Sequence, residues 1–134
     1  MILPGISVSA TVPFHDVDSL GIVWHGHYYK YFELARTELY RSKDFDIEAM
    51  HKLGYVFPVI ESQCRYIQPL KYAQVIEISA SFKAWEHYIR IAYTILDATT
   101  NERCAYGHTK QAICRSDGKM LLEVPASVID VLNV

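Results

Sequence analysis

Cysteine is scarce in this chain of 134 residues. Cys64, Cys104 and Cys114 are an odd number with no close spacing. That pattern excludes a disulfide framework and a CxxC zinc site, and it predicts reduced thiols in a cytosolic protein. Long apolar runs are missing too. None approaches the roughly 18 residues that span a bilayer, so no integral membrane association is expected. The opening MILPGISVSATV has neither a cationic start nor a long apolar stretch, which argues against a secretory leader. Charge of one sign is also absent. Thirteen Lys and Arg face fifteen Asp and Glu, a net −2. There is no basic field for nucleic acid and no polybasic patch for a membrane surface. No GxSxG, P-loop, GxGxxG or HExxH occurs, which leaves a serine elbow, phosphate cradles and a zincin site unsupported. Internal repeats, low-complexity segments and linkers are likewise lacking.

What is present is a globular balance, 51% hydrophobic and 21% charged. The length predicts one domain over residues 1–134, able to bury about two-thirds of its surface without metal or disulfide. Ten tyrosines are unusual. They suit a ligand groove or a subunit interface, where an apolar ring and a wet hydroxyl both help.

The hydrophobic period gives an α+β element order. Ile6, Val8, Ala10, Val12 and Phe14 alternate with small and polar residues, predicting a half-buried strand over residues 6–14. His15 to Gly26 has turn chemistry. From Tyr28 the period lengthens: Tyr28, Phe32, Ala35 and Leu39, widened by Tyr31 and Leu34, predict an amphipathic helix ending near Lys43. Asp46 is placed to cap a short helix from Ile47 to Leu53, stopped by Gly54. Strands are expected over Val56–Tyr66, interrupted by Pro58, and over Gln74–Trp85, Tyr88–Leu96 and Arg103–Cys114. A turn at residues 116–119 precedes a tail that reads as strand or helix. Ala105, Gly107 and Thr109 put small residues on one face of the last long strand, so something bulky, such as the long helix, should cross there. The expected architecture is one long helix laid on a mostly antiparallel sheet.

The chemistry concentrates in FHDVDSLGIVWHGHYYKYFELAR, residues 14–36. Asp16 and Asp18 lie near His15, His25 and His27, on a loop that runs into the predicted helix start. Asp18 and His25 are seven residues apart across Gly21, so the loop can bring them to one small pocket. The first N–H groups of a helix lack intrahelical partners and carry the positive end of its dipole. A carbonyl placed there is polarised, and a nearby carboxylate can attack it or activate a water. The opposing reading makes either aspartate a turn or helix-start residue only. A metal held by these histidines and aspartates is disfavoured, because His25 and His27 are i, i+2 at a junction rather than i, i+4 on a helix face. His51, His87 and His108 stand isolated.

The segment Asp18-Ser19-Leu20-Gly21-Ile22-Val23-Trp24-His25, followed by Tyr28 and by Ala35-Arg36-Thr37-Glu38, resembles the signature of hotdog-fold acyl-CoA thioesterases of the 4-hydroxybenzoyl-CoA thioesterase type. The resemblance implies a hotdog fold, with a long central helix wrapped by a curved antiparallel five-stranded sheet. It implies hydrolysis of acyl-CoA to a free acid and CoA, with no metal and no cofactor. Asp18 would be the catalytic carboxylate, as nucleophile or general base. His25 would offer its backbone N–H to the thioester oxygen, with Trp24, Gly26 and Tyr28 bordering the substrate. Homodimers sharing one continuous sheet, or homotetramers, are implied, with sites between subunits. A thioester on an acyl carrier protein, or an acyl-thioester binding module without turnover, are the readings kept beside this one. The chain departs from the family at Phe14, where a tyrosine is common. It also departs at Tyr72, Ala73 and Gln74, where an acidic residue often occurs, and at Glu86, His87 and Tyr88, where basic residues bind CoA phosphates in some members. Arg90, Lys110, Arg115 and Lys119 are the candidate substitutes.

Overall fold

Strand-forming alternation at the start of the chain is realised as β1 (Gly5–Thr11) in the computed structural model, which describes residues 5–134. Residues 1–4, part of the stretch read for a leader, lie outside the described residues. The other elements follow as α1 (Tyr28–Arg41), α2 (Ile47–Leu53), β2 (Tyr55–Val56), β3 (Val59–Tyr66), β4 (Val75–Ala84), β5 (Ile89–Asp97), β6 (Arg103–Gln111), β7 (Cys114–Arg115) and α3 (Ala126–Leu132). Five strands form one sheet in the order β1-β4-β5-β6-β3, every neighbour antiparallel. β2 and β7 make a separate two-stranded pair. Register shifts in β3 at Val59/Glu61, between β4 and β5 at Phe82/Ala84, and between β5 and β6 at Ile95/Leu96 mark the irregularities that bend a sheet.

α1 lies across one face of this sheet. Its buried side chains are Tyr28, Tyr31, Phe32, Ala35, Leu39 and Tyr40. They meet the inward residues of β4 (Ile76, Ile78, Ala80, Phe82) and β5 (Ile89, Ile91, Tyr93, Ile95), and the Phe32 and Tyr93 rings stack 4.6 Å apart. Each of the larger side chains contributes roughly 1.5–3 kcal/mol by leaving water. The opposite face of the sheet is polar, with Glu77, Ser79, Ser81 and Lys83 on β4 and Arg90, Ala92 and Thr94 on β5.

The expected helix stripe needs one correction. Leu34 is exposed and Tyr40 takes the buried position one turn beyond Phe32's neighbour Arg36. The first strand also ends sooner than its alternation suggests. Pro13 cannot donate a ladder hydrogen bond, and Phe14–Asp16 turns away as a 3-10 segment that leaves Phe14 exposed. The α2 expectation matches in detail: the Asp46 carboxylate accepts from the Ile47 N–H (2.7 Å), and Gly54 closes the helix at φ +95°. Pro58 separates β2 from β3, and the tail is a helix that starts after Pro125.

The small-residue face of β6 has the bulky neighbour it called for. A Cβ on Gly107 would lie 2.9 Å from the Phe32 ring of α1 and 2.1 Å from the Gln63 carbonyl oxygen of β3. Neither can yield cheaply. Gly107→Ala is therefore expected to destabilise the fold by about 2 kcal/mol, lowering Tm by roughly 6 °C in a thermal melt. An unchanged Tm would mean that α1 and β3 can move away from β6 at little cost.

Candidate active site

The loop between β1 and α1 is held by backbone hydrogen bonds on both flanks. Val17 and Val23 form an antiparallel bridge, and Ile22 bridges Lys71 on the far side. The Val23 N–H donates to the Leu70 carbonyl (2.8 Å), and the Trp24 N–H donates to the Asp16 carbonyl (3.1 Å). Asp18 sits at the tip of this small hairpin. Its N–H donates to the Ile22 carbonyl (2.9 Å), and its carbonyl accepts from the Gly21 N–H (3.0 Å), with Gly21 at φ +82°. That positive φ is the conformation glycine reaches without strain. One carboxylate oxygen of Asp18, Oδ1, accepts from the Leu20 N–H (2.8 Å). The side chain thus fixes its own turn and leaves Oδ2 without an intrachain hydrogen bond among the described residues.

The helix begins with a 3-10 turn at His25–His27 that runs directly into α1. The His27 N–H donates to the Trp24 carbonyl (2.9 Å), and the Tyr28 N–H closes on the His25 carbonyl. Among the described residues the N–H groups of His25 and Gly26 have no acceptor within the chain. They are the unpaired donors that a helix start presents. The Trp24 ring lies over Gly26 so closely that a Cβ there would fall 2.2 Å from it, and it also approaches the His25 ring (5.0 Å between centroids). Trp24 and His25 are exposed. Tyr28 is buried, with its hydroxyl accepting from the Leu70 N–H (3.2 Å). Burial raises the Tyr28 phenol above its ordinary range. Within one chain no hydrogen bond joins Asp18 to His25. No ion pair joins them either.

The other aspartate is deeply engaged. Asp16 is buried, and its carboxylate accepts from the Tyr31 hydroxyl (2.7 Å) and from the Lys30 ammonium. His15 and His27 approach it at 3.7 and 4.0 Å. Burial pushes the Asp16 carboxyl up, but the hydrogen bonds from Lys30 and Tyr31 and the charge of Lys30 outweigh it, so the group sits below the usual carboxylate range. The Tyr31 phenol is raised by burial and by its bond to Asp16. Among the described residues no group of three or more His, Cys, Asp or Glu could hold a metal ion. No helix among them is long and apolar enough to cross a membrane.

Two contributors had no local signal in the sequence. Tyr66, on β3, donates its hydroxyl to the His25 carbonyl (2.8 Å) and packs edge-on against Tyr28 at 4.7 Å. It ties the helix start to an edge strand that lies 41 residues away in the chain. Leu70 and Lys71 brace the Asp18 loop from a similarly distant segment.

Similarity to known proteins identifies the family and the fold. An Aquifex aeolicus protein that bears an esterase name is 31% identical over 122 residues, 91% of this chain and 93% of that one. An acyl-CoA thioester hydrolase of Escherichia coli is 31% identical over 67 residues, half of each chain. The crystal structure of a 4-hydroxybenzoyl-CoA thioesterase variant, an aspartate replaced by asparagine, complexed with 4-hydroxybenzoyl-CoA superposes with a TM-score of 0.84. It shares 18% identity and covers 96% of this chain and 98% of that one. With the family model of the thioesterase-like superfamily matching residues 12–132, the chain belongs to that superfamily and has its hotdog fold.

Proposed function

We propose that this protein hydrolyses acyl-CoA thioesters, with Asp18 as the catalytic carboxylate and the His25–Gly26 helix start as the oxyanion-binding group. The observation that carries the reading is the pairing of a carboxylate on a pinned loop with two unpartnered N–H groups at the start of α1. The thioester oxygen would accept from those N–H groups, which stabilise the charge that develops as the carbonyl carbon becomes tetrahedral. Asp18 Oδ2 would either add to that carbon or take a proton from an attacking water. In both routes the C–S bond breaks and CoA departs as the thiol; in the first this leaves an Asp18–acyl anhydride that water then hydrolyses. Water supplies the second oxygen of the acid, and Asp18 returns to its carboxylate form. Trp24 and Gly26 would border the thioester, with Tyr28 beneath them. The E. coli relative's activity and the ligand of the 4-hydroxybenzoyl-CoA thioesterase complex support the substrate class. A panel of acyl-CoA thioesters with detection of released thiol tests the reading. Release of free thiol is expected. Binding seen by calorimetry with no thiol release would favour a binding module.

A second copy of the chain would complete the site. β3 is an edge strand exposed along nearly its whole length, with Val59, Ile60 and Tyr66 open to solvent. The unpaired N–H and C=O groups of such an exposed edge strand are a template for pairing with another chain. Antiparallel pairing of β3 with its own copy would set the Tyr66 end of one strand, tied to His25, beside the Val59 end of the other. Next to that end is a cavity of about 410 Å³ lined by Arg36, Thr37, Tyr40, Met50 and Phe57. Its size suits a ligand group, so the acyl moiety would enter the partner's cavity. Ile60→Lys, which puts a charge on the edge, is expected to elute as a monomer in size-exclusion chromatography and to lose at least about tenfold in activity. A monomeric variant with full activity would contradict the shared site.

A further inference from the structure

The polar face of the sheet, opposite α1, carries a concentration of cations that the thioester chemistry does not use. A groove of about 390 Å³ opens there, lined by Arg65 of β3, Arg90 and Thr94 of β5, and Arg103, Tyr106 and His108 of β6. The strand register explains the hollow. Arg65 pairs with Tyr106, which pairs with Thr94, and the next row is Gln63, His108 and Ala92. The small Ala92 and Thr94 side chains form the floor between long neighbours. Arg103 lies over the Tyr106 ring at 4.4 Å, which holds its guanidinium at the rim. Lys110, in the row of Arg90, lies over Tyr88 at 4.8 Å.

Of the nearby carboxylates, Glu61 holds His108 (2.8 Å) and Lys110 (3.4 Å), Glu102, beside Arg103 in the chain, accepts from the Gln68 amide (3.1 Å), and Glu77, in the row of Arg103, accepts from the Ser7 hydroxyl (2.8 Å). Arg65, Arg90 and Arg103 form no ion pair among the described residues. Three unpaired guanidiniums around one hollow, on a chain whose net charge is −2, are an unusual local excess of positive charge. Arginine's planar fork matches phosphate oxygens in bidentate fashion. A concave, arginine-lined hollow favours a compact polyanion over a flat protein surface.

We propose that this groove binds a phosphate-bearing ligand of nucleotide size. Two sources share that chemistry: the nucleotide end of CoA and a separate nucleotide. For the first, CoA would pass round the Tyr66 end of β3, because successive strand residues point to opposite faces. Tyr66 reaches the His25 carbonyl on the helix side, and Arg65 opens on the groove side at the same end of β3.

Calorimetric titration of the full chain with inorganic pyrophosphate and with ADP tests the site. Both are expected to bind, with affinity falling steeply as salt is raised. Arg65→Gln and Arg103→Gln should each weaken binding about tenfold. These side chains are exposed, so a thermal melt should show an intact fold. The absence of binding by either probe, or equal affinity in the variants, would overturn the proposal. Kinetics then separate the sources. If CoA supplies the phosphate, the same variants raise KM about tenfold for an acyl-CoA and leave KM for a short acyl thioester without a nucleotide unchanged. If a separate nucleotide does, the variants lose ADP binding and neither KM moves. The CoA arm rests on the thioesterase reading and the pyrophosphate titration does not, so either idea can fail without the other.

Discussion

Asp18→Asn is expected to lower kcat for thioester hydrolysis by at least about 10³-fold while leaving the unfolding midpoint within a degree or two of wild type. The substitution is nearly isosteric. An asparagine side-chain oxygen can still accept from the Leu20 N–H, so the turn at the loop tip, closed by Gly21 at φ +82°, should survive. What disappears is the charge and basicity of Oδ2. An amide oxygen neither adds readily to a thioester carbonyl nor takes a proton from water near neutral pH. The helix-start N–H groups of His25 and Gly26 would still polarise a bound carbonyl, so substrate affinity should persist. Wild-type turnover in this variant would move the chemistry elsewhere in the chain.

The aspartate two residues earlier should behave in the opposite way. Asp16→Ala is expected to destabilise the fold by about 3 kcal/mol, because it strands the buried Tyr31 hydroxyl and removes the counter-charge of Lys30. In a urea titration that appears as a lower midpoint with an unchanged slope. Any loss of activity should follow from loosening of the loop and not from the chemistry, since the Trp24 N–H bonds to the Asp16 backbone carbonyl, which alanine keeps. The pH dependence has a definite sign. The Asp16 carboxyl is held below its ordinary value, so the unfolded chain takes up this proton first as acid is added. The stabilisation is complete above the unfolded value near about pH 4 and is lost as pH falls through that region toward the lower folded value. The acid limb of the wild-type stability curve should be steeper than that of Asp16→Asn. Parallel limbs would show that another group governs acid unfolding.

These two residues also show how far the sequence alone could be read. Alternation in residues 6–12, the i, i+4 spacing of Tyr28, Phe32 and Ala35, the Asp46 cap and the Pro58 break are local signals, and each produced the expected element. The small face of β6 even revealed a long-range contact, because only a bulky neighbour explains glycine opposite Phe32. Errors arose where tertiary packing decided between local alternatives. Leu34 and Tyr40 both lie close to the helix stripe, and the sheet buries Tyr40, whose hydroxyl finds Gln111 (2.6 Å). The DxD pair could be recognised as chemistry-bearing, but its division of labour depends on Lys30 and Tyr31, which only the three-dimensional turn brings to Asp16. Tyr66 and Leu70 were invisible for a similar reason. Their hydrogen bonds to the site cross more than forty residues and leave no periodicity behind.

The central claim is that a carboxylate at Asp18 turns over a thioester held at the start of α1. The most direct measurement places wild type and Asp18→Asn side by side on one acyl-CoA, following thiol release and calorimetric binding in the same preparations. Both proteins are expected to bind the thioester with similar affinity, and only wild type should release thiol at a catalytic rate. Thiol release by Asp18→Asn at the wild-type rate would contradict it.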